Sequence, residues 1–144
     1  PKIDAEILDY NIKINDEEII SLRDKVASEL KERNITSSLI HNIELMIEET
    51  YELIKEKNTK SNKKVKRGLV SECNLIITDE YIKLVIRDNG IIFDITNEDN
   101  DIKSLRCYIV ARFLEKLDDK SYLITSSFNR NSFVFEKVEM KDVK

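Results

Sequence analysis

The sequence predicts an α+β fold: a two-layer sandwich in which about three helices cover one face of a mixed, mostly antiparallel sheet. Three observations predict it. Apolar residues alternate with polar ones in the short segments, and they recur every three or four residues in the longer ones. The strand-like segments arrive in neighbouring pairs, which favours antiparallel pairing. No internal repeat divides the 144 residues, so we expect one domain over 1–144.

The first elements are a strand and two helices. Alternation in AEILDYNIKI, residues 5–14, predicts a strand. A helix follows over 15–34, opened by an N-cap at Asn15 or Asp16. Thr36 should cap a second helix, over 36–58. Its apolar stripe consists of Leu39, Ile43, Met46, Ile47, Thr50 and Ile54.

A basic, polar connector follows at 58–67, and we expect a flexible, solvated loop there. Two strands come next. Leu69, Cys73, Leu75 and Ile77 share a face of the first, and Ile82, Leu84, Ile86 and Asp88 share a face of the second. After an acidic loop, a third helix places Ile102, Leu105, Ile109, Phe113 and Leu117 on one stripe.

The chain ends with two strands, SYLITSSF and SFVFEKV, expected to form a hairpin around NRN at 129–131. The predicted order is therefore β-α-α-β-β-α-β-β. The chain begins at Pro1 rather than at a methionine, which would suit a domain excised from a larger protein.

Composition excludes several classes of function. A formal net charge of -4 gives no sign of nucleic-acid binding. No apolar run approaches the roughly 18 residues of a membrane span, so we expect no membrane contact. Cys73 and Cys107 lie far apart without metal-ligand spacing, which indicates reduced, buried thiols, a cytoplasmic location and no metal site.

The segment VIRDNGIIFDIT, residues 85–96, contains one of only two glycines in the chain. Asp88 has the parity of the apolar residues before it, so its carboxylate should point toward the helices, where it needs a partner. One interpretation is a turn aspartate, since Asp and Asn before Gly are common turn formers. The order of elements supports a second interpretation.

That order, with Asp-x-Gly at the end of a central strand, resembles the Bergerat-fold ATPases, or GHKL group. The most similar members are the compact anti-sigma-factor serine kinases, and the resemblance covers nearly the whole chain. In that family a glutamate and an asparagine lie one turn apart on the second helix; here they correspond to Glu49 and Leu53. The family's Asp-x-Gly-x-Gly corresponds to DNGII, so Asp88 and Gly90 match and Ile92 replaces the second glycine.

The resemblance implies that Asp88, Gly90 and Ser132 form the adenine half of a nucleotide site. In the family the aspartate accepts from the adenine amino group, the glycine lets the backbone approach the base, and a threonine at the position of Ser132 supports the contact. We therefore expect that an adenine nucleotide or nucleoside is the ligand, if there is one.

The phosphate half of the site is missing from the sequence. Leu53 cannot provide the oxygen that the family asparagine gives to Mg²⁺. Ser104 and Arg106 stand where glycines would let backbone N–H groups approach phosphates, and Asn131 replaces the glycine of the last hairpin. Four carboxylates between Arg87 and Lys103 would repel a triphosphate: Asp94, Glu98, Asp99 and Asp101.

Two other side chains invite a functional interpretation. Glu49 would be the general base of an active family member, but only with ATP and metal in place; otherwise it is a solvated residue bordering the apolar stripe. His41, the only histidine, lacks the flanking residues of a phosphoacceptor and is expected to be partly exposed.

Two functions remain. The first is a degenerate ATPase domain that is not expected to be an active kinase. It would act as a regulatory protein-binding module, with ATP binding weak or lost. Its partner is unnamed, and the first strand offers a sheet edge for a homodimer. The alternative is an active serine or histidine protein kinase. An unrelated α/β domain with a chance DNG would be shown by Asp88 and Glu49 not sharing a cavity.

Overall fold

The structure, a computed structural model, describes residues 4–60, 68–95, 109–110, 112–114 and 129–137. Its complete elements are β1 (Glu6–Lys13), α1 (Asp16–Glu32), α2 (Ser37–Lys60), β2 (Val70–Ile77), β3 (Tyr81–Asp88) and β4 (Asn129–Glu136). The four strands form one sheet in the order β1-β2-β3-β4, and every pair is antiparallel. The α+β class and the antiparallel pairing are therefore confirmed for this part of the chain.

Helix α1 begins where the sequence predicts. Asn15 is extended, with φ -139°, and its Oδ1 accepts from the backbone N–H of Glu18 at 2.9 Å. Three acidic residues in the first turn interact favourably with the positive end of the helix dipole. The helix buries a stripe at helical spacing, consisting of Ile19, Leu22, Val26 and Leu30.

Helix α2 buries the whole predicted stripe, and it continues to Lys60. The predicted loop over 58–67 therefore begins too early, and its residues 61–67 lie outside the described part. In its last turn, Asn58 Nδ2 and Thr59 Oγ1 each donate to the carbonyl four residues earlier, at 2.8 Å. These bonds satisfy polar side chains that, in sequence, resemble the start of a loop.

The core lies between the two helices and one face of the sheet. The predicted alternation of buried side chains along β2 and β3 is confirmed. The residues with 0% exposure are Cys73, Leu75, Ile82, Leu84 and Ile86. Burial raises the pKa of the Cys73 thiol to about 12, which makes it an inert core residue. Neither described helix is long and apolar enough to cross a membrane.

The third helix and the terminal hairpin are described only in part. Residues 109–110 and 112–113 are helical, Val110 is buried, and Phe113 stacks on Phe135 with ring centroids 4.8 Å apart. The rest of the predicted third helix, and the strand SYLITSSF, lie outside the described residues.

The predicted turn at 129–131 is wrong. Asn129, Arg130 and Asn131 are the first residues of β4 and pair with Asp88, Arg87 and Ile86 of β3. Asn129 and Asn131 alternate onto the helix-covered face and are buried there. Two asparagines on a core face hide the apolar alternation that identifies a strand, which is why the segment resembled a turn.

Candidate functional site

Asp88 ends β3 on the helix-covered side of the sheet, and it is 2% exposed. Its Oδ1 accepts from the backbone N–H of Gly90 at 2.9 Å, and its Oδ2 accepts from Asn129 Nδ2 at 2.9 Å. Burial raises the pKa of the Asp88 carboxyl to about 6, against the opposing effect of these two hydrogen bonds. Asp88 is thus a buried carboxylate with both oxygens engaged by the chain itself.

Sequence reasoning missed Asn129 and assigned its role to Ser132. Ser132 pairs with Val85, whereas Asn129 pairs with Asp88. Side chains along a strand alternate between faces, so Ser132 lies on the face opposite to Asp88. The structure therefore brings Asp88 and Gly90 together and leaves Ser132 apart from them. The side chain that supports the aspartate is the buried amide of Asn129.

The glycine at position 90 is required by the close approach of a neighbouring side chain and not by an unusual backbone angle. Gly68 is the glycine with a positive φ, of 76°, whereas the φ of Gly90 is outside the left-handed region. A Cβ on Gly90 would lie 2.6 Å from Asn58 Nδ2 and 2.7 Å from Asn58 Oδ1. The space beside Gly90, where a ligand base was expected to approach, is therefore occupied by the carboxamide of Asn58.

Asn89, which lies between Asp88 and Gly90, fixes the start of β2 with two hydrogen bonds. Its Oδ1 accepts from the N–H of Val70 at 2.9 Å, and its Nδ2 donates to the carbonyl of Gly68 at 3.0 Å. The three residues of the DNG motif therefore join the end of β3 to β4, to β2 and to α2. The local bond from Gly90 N–H to Asp88 is what the turn interpretation of the motif predicts. The contacts with β2, β4 and α2 were not part of that interpretation.

A second polar contact lies beside Asp88, where β2 pairs with β3. Ser71 is the cross-strand partner of Asp88, and its hydroxyl donates to the carbonyl of Arg87 at 2.6 Å. That hydroxyl therefore accepts from the Tyr51 hydroxyl of α2, 2.8 Å away. Burial raises the pKa of Tyr51 well above its usual value, so the phenol remains a neutral donor.

Two buried polar atoms have no hydrogen-bond partner within the described part of the chain. They are Thr50 Oγ1, on the sheet-facing stripe of α2, and Asn131 Nδ2, on the helix-facing side of β4. Buried polar groups are normally satisfied, so these two atoms are exceptions. Both are uncharged.

The remaining predicted site residues do not add a phosphate site. Leu53 is a core residue, 5% exposed, and Glu49 is half-buried on the same helix. Ile92 is 53% exposed. Ser104 and Arg106 lie outside the described residues. His41 is exposed.

A cavity of about 640 Å³ borders Asp88 from the start of β2. Its lining includes Asn11, Lys13, Glu72 and Arg87, which lie on the face of the sheet away from the helices, and it does not include Glu49.

No protein-family model matches the chain, and the comparison with curated proteins finds no relative.

Proposed function

We propose that the chain is a regulatory, protein-binding domain with a degenerate histidine-kinase-like ATPase fold, in which ATP binding is weak or lost. One observation carries the proposal. The groups by which the related ATPases hold a base are engaged internally: Asp88 by Gly90 and Asn129, and the face of Gly90 by Asn58. A ligand would have to displace these contacts before making its own.

The fold supports the proposal without deciding it. The order β-α-α-β-β, an antiparallel sheet and an aspartate at the end of a central strand are features of the Bergerat arrangement. Phe113, in the described fragment of the third helix, stacks on Phe135 of β4, which is compatible with that arrangement.

The residues present do not fit a magnesium triphosphate. Leu53 is packed in the core and has no oxygen for a cation that demands oxygen ligands. The unpartnered atoms nearby, on Thr50 and Asn131, are neutral and suit an uncharged group. If the domain retains a small ligand, the proposal is that adenosine or another uncharged purine binds better than ATP. Cys73, a buried free thiol, suits the cytoplasmic location that the proposal includes.

Calorimetric titration with Mg-ATP tests the proposal that ATP binding is weak or lost. We expect no micromolar binding by the wild-type chain and the same result for Asp88→Asn. Micromolar binding that Asp88→Asn abolishes would overturn the proposal and support an active serine or histidine kinase with Glu49 as its base. In a thermal-shift comparison, stronger stabilisation by ATP than by adenosine would contradict the preference for an uncharged ligand.

The proposed partner surface is β1, at the edge of the described sheet. Ile14, opposite Leu69, donates its N–H to the Leu69 carbonyl at 3.0 Å. Hydrogen-bonding direction alternates along an antiparallel strand, so the N–H groups of Ile7, Asp9 and Asn11 point away from β2. An edge of this kind can pair with the same strand of a second copy.

Sedimentation equilibrium tests the homodimer. We expect a dimer for the wild-type chain and a monomer for Asn11→Pro, which removes an outward N–H without touching the β1–β2 ladder. A wild-type monomer at all concentrations, or an Asn11→Pro dimer of unchanged affinity, would remove β1 from the proposal.

A further inference from the structure

Asn58 connects the last turn of α2 to the segment that follows β3. Its Oδ1 accepts from the backbone N–H of Ile91 at 3.0 Å, and its Nδ2 donates to the Ile54 carbonyl at 2.8 Å. The second bond fixes the carboxamide so that its oxygen faces Ile91. Both polar atoms of one side chain are therefore used, one within the helix and one across to the segment.

The fit between Asn58 and Gly90 makes this contact specific. The carboxamide lies so near to Gly90 that a Cβ there would be 2.9 Å or less from three of its atoms. Contacts of that length are shorter than real Cβ contacts, so only glycine admits Asn58 in this position.

The other described contacts of segment 90–95 with α2 are less specific. Lys57 lies over the ring of Phe93, with Nζ 5.6 Å from the centroid, and Ile95 is buried in the core. Ile92 is 53% exposed. The Asn58–Ile91 bond is a directional polar contact that fixes the start of the segment against the helix.

We infer that Asn58 is a latch: it holds residues 90–92 closed against α2, and its release opens this segment without unfolding the sheet. The segment and the helix end are then the conformational element of the fold, since the DNG junction leaves β3 bonded to β2 and β4. This inference concerns the contact alone and does not depend on the proposed function.

Native-state hydrogen exchange, followed residue by residue by NMR, tests the latch with three variants. Asn58→Ala removes both bonds. Thr59→Ala is the matched control, because Thr59 also donates to a carbonyl four residues earlier but is exposed and has no hydrogen bond to residues 90–95 in the described part of the chain. Asn58→Asp keeps an oxygen to accept from Ile91.

We expect roughly tenfold faster exchange at Ile91 in Asn58→Ala, with Val85 and Ile86 in β3 unchanged. Thr59→Ala should leave the exchange of Ile91 as in the wild type. Asn58→Asp keeps the acceptor but loses the bond to Ile54, so it should raise the exchange of Ile91 less than Asn58→Ala does. Unchanged exchange at Ile91, or an equal increase at Ile91, Val85 and Ile86, would overturn the latch.

Discussion

Gly90→Ala is the substitution that most directly tests the packing at this junction. The new Cβ would meet the Asn58 carboxamide at 2.6 to 2.9 Å. The carboxamide is the far end of a side chain, so it can rotate away. Moving it breaks its bonds to Ile91 and to Ile54 and leaves the N–H of Ile91 without its partner.

The size of the effect follows from those two bonds. Leaving a partly buried donor unsatisfied and losing the second bond costs about 2 kcal/mol. Replacing glycine by alanine returns about 0.5 kcal/mol through the unfolded chain, because the φ of Gly90 is not in the left-handed region. We therefore expect Gly90→Ala to lower the free energy of unfolding by about 1.5 kcal/mol. In an Asn58→Ala background the clash is gone, and the same change should be stabilising by about 0.5 kcal/mol.

Urea unfolding of the four proteins of this cycle, followed by circular dichroism, measures both values. Gly68→Ala is the control, since Gly68 has a φ of 76° and nothing within 4 Å of its missing Cβ. It should destabilise both backgrounds equally, by about 1 kcal/mol, through backbone strain alone. The reasoning is refuted if Gly90→Ala destabilises the Asn58→Ala background as much as the wild type.

The buried carboxylate yields two further predictions. The pKa of the Asp88 carboxyl is raised from 3.8 to about 6 in the folded state, so the folded protein binds more protons than the unfolded chain between these values. The contribution of this group to stability is therefore fully present below pH 3.8 and is lost as pH rises through 6. Between pH 4 and 7 the free energy of unfolding of the wild type should fall by about 2 kcal/mol relative to Asp88→Asn, and parallel pH profiles would contradict this. Asn129→Ala removes one donor and should raise the carboxyl pKa of Asp88 measured by NMR, whereas Ser132→Ala, on the other face, should leave that pKa unchanged; the reverse pattern would restore Ser132 to the site.

Much of the fold could be predicted from local pattern. The start of α1 followed from Asn15 and the acidic first turn, although the helix ends at Glu32 and not at residue 34. The strands β2 and β3 lie within one residue of the predicted segments. Parity alone placed Asp88 on the helix-covered face, because side chains alternate strictly along a strand.

The start of β4 could not be predicted in the same way. Its helix-facing positions 129 and 131 hold asparagines, and one of them is there to satisfy Asp88, which is 41 residues away in sequence. A polar residue chosen for a distant partner removes the alternation on which strand prediction depends. The error over Ser132 has the same origin, since a turn at 129–131 would have left its facing undetermined.

Asn58 could have been found, because it follows Ile54 by four residues and Ile47 by eleven, and so continues the buried stripe of α2. That spacing predicted a side chain facing the sheet, although not its contact with Gly90. The contact with Asn58 accounts for the glycine at position 90 without a ligand, because only glycine admits this asparagine of the same chain. Asp88, in turn, accepts from Gly90 and Asn129. The Asp-x-Gly motif is therefore explained by the junction that it forms.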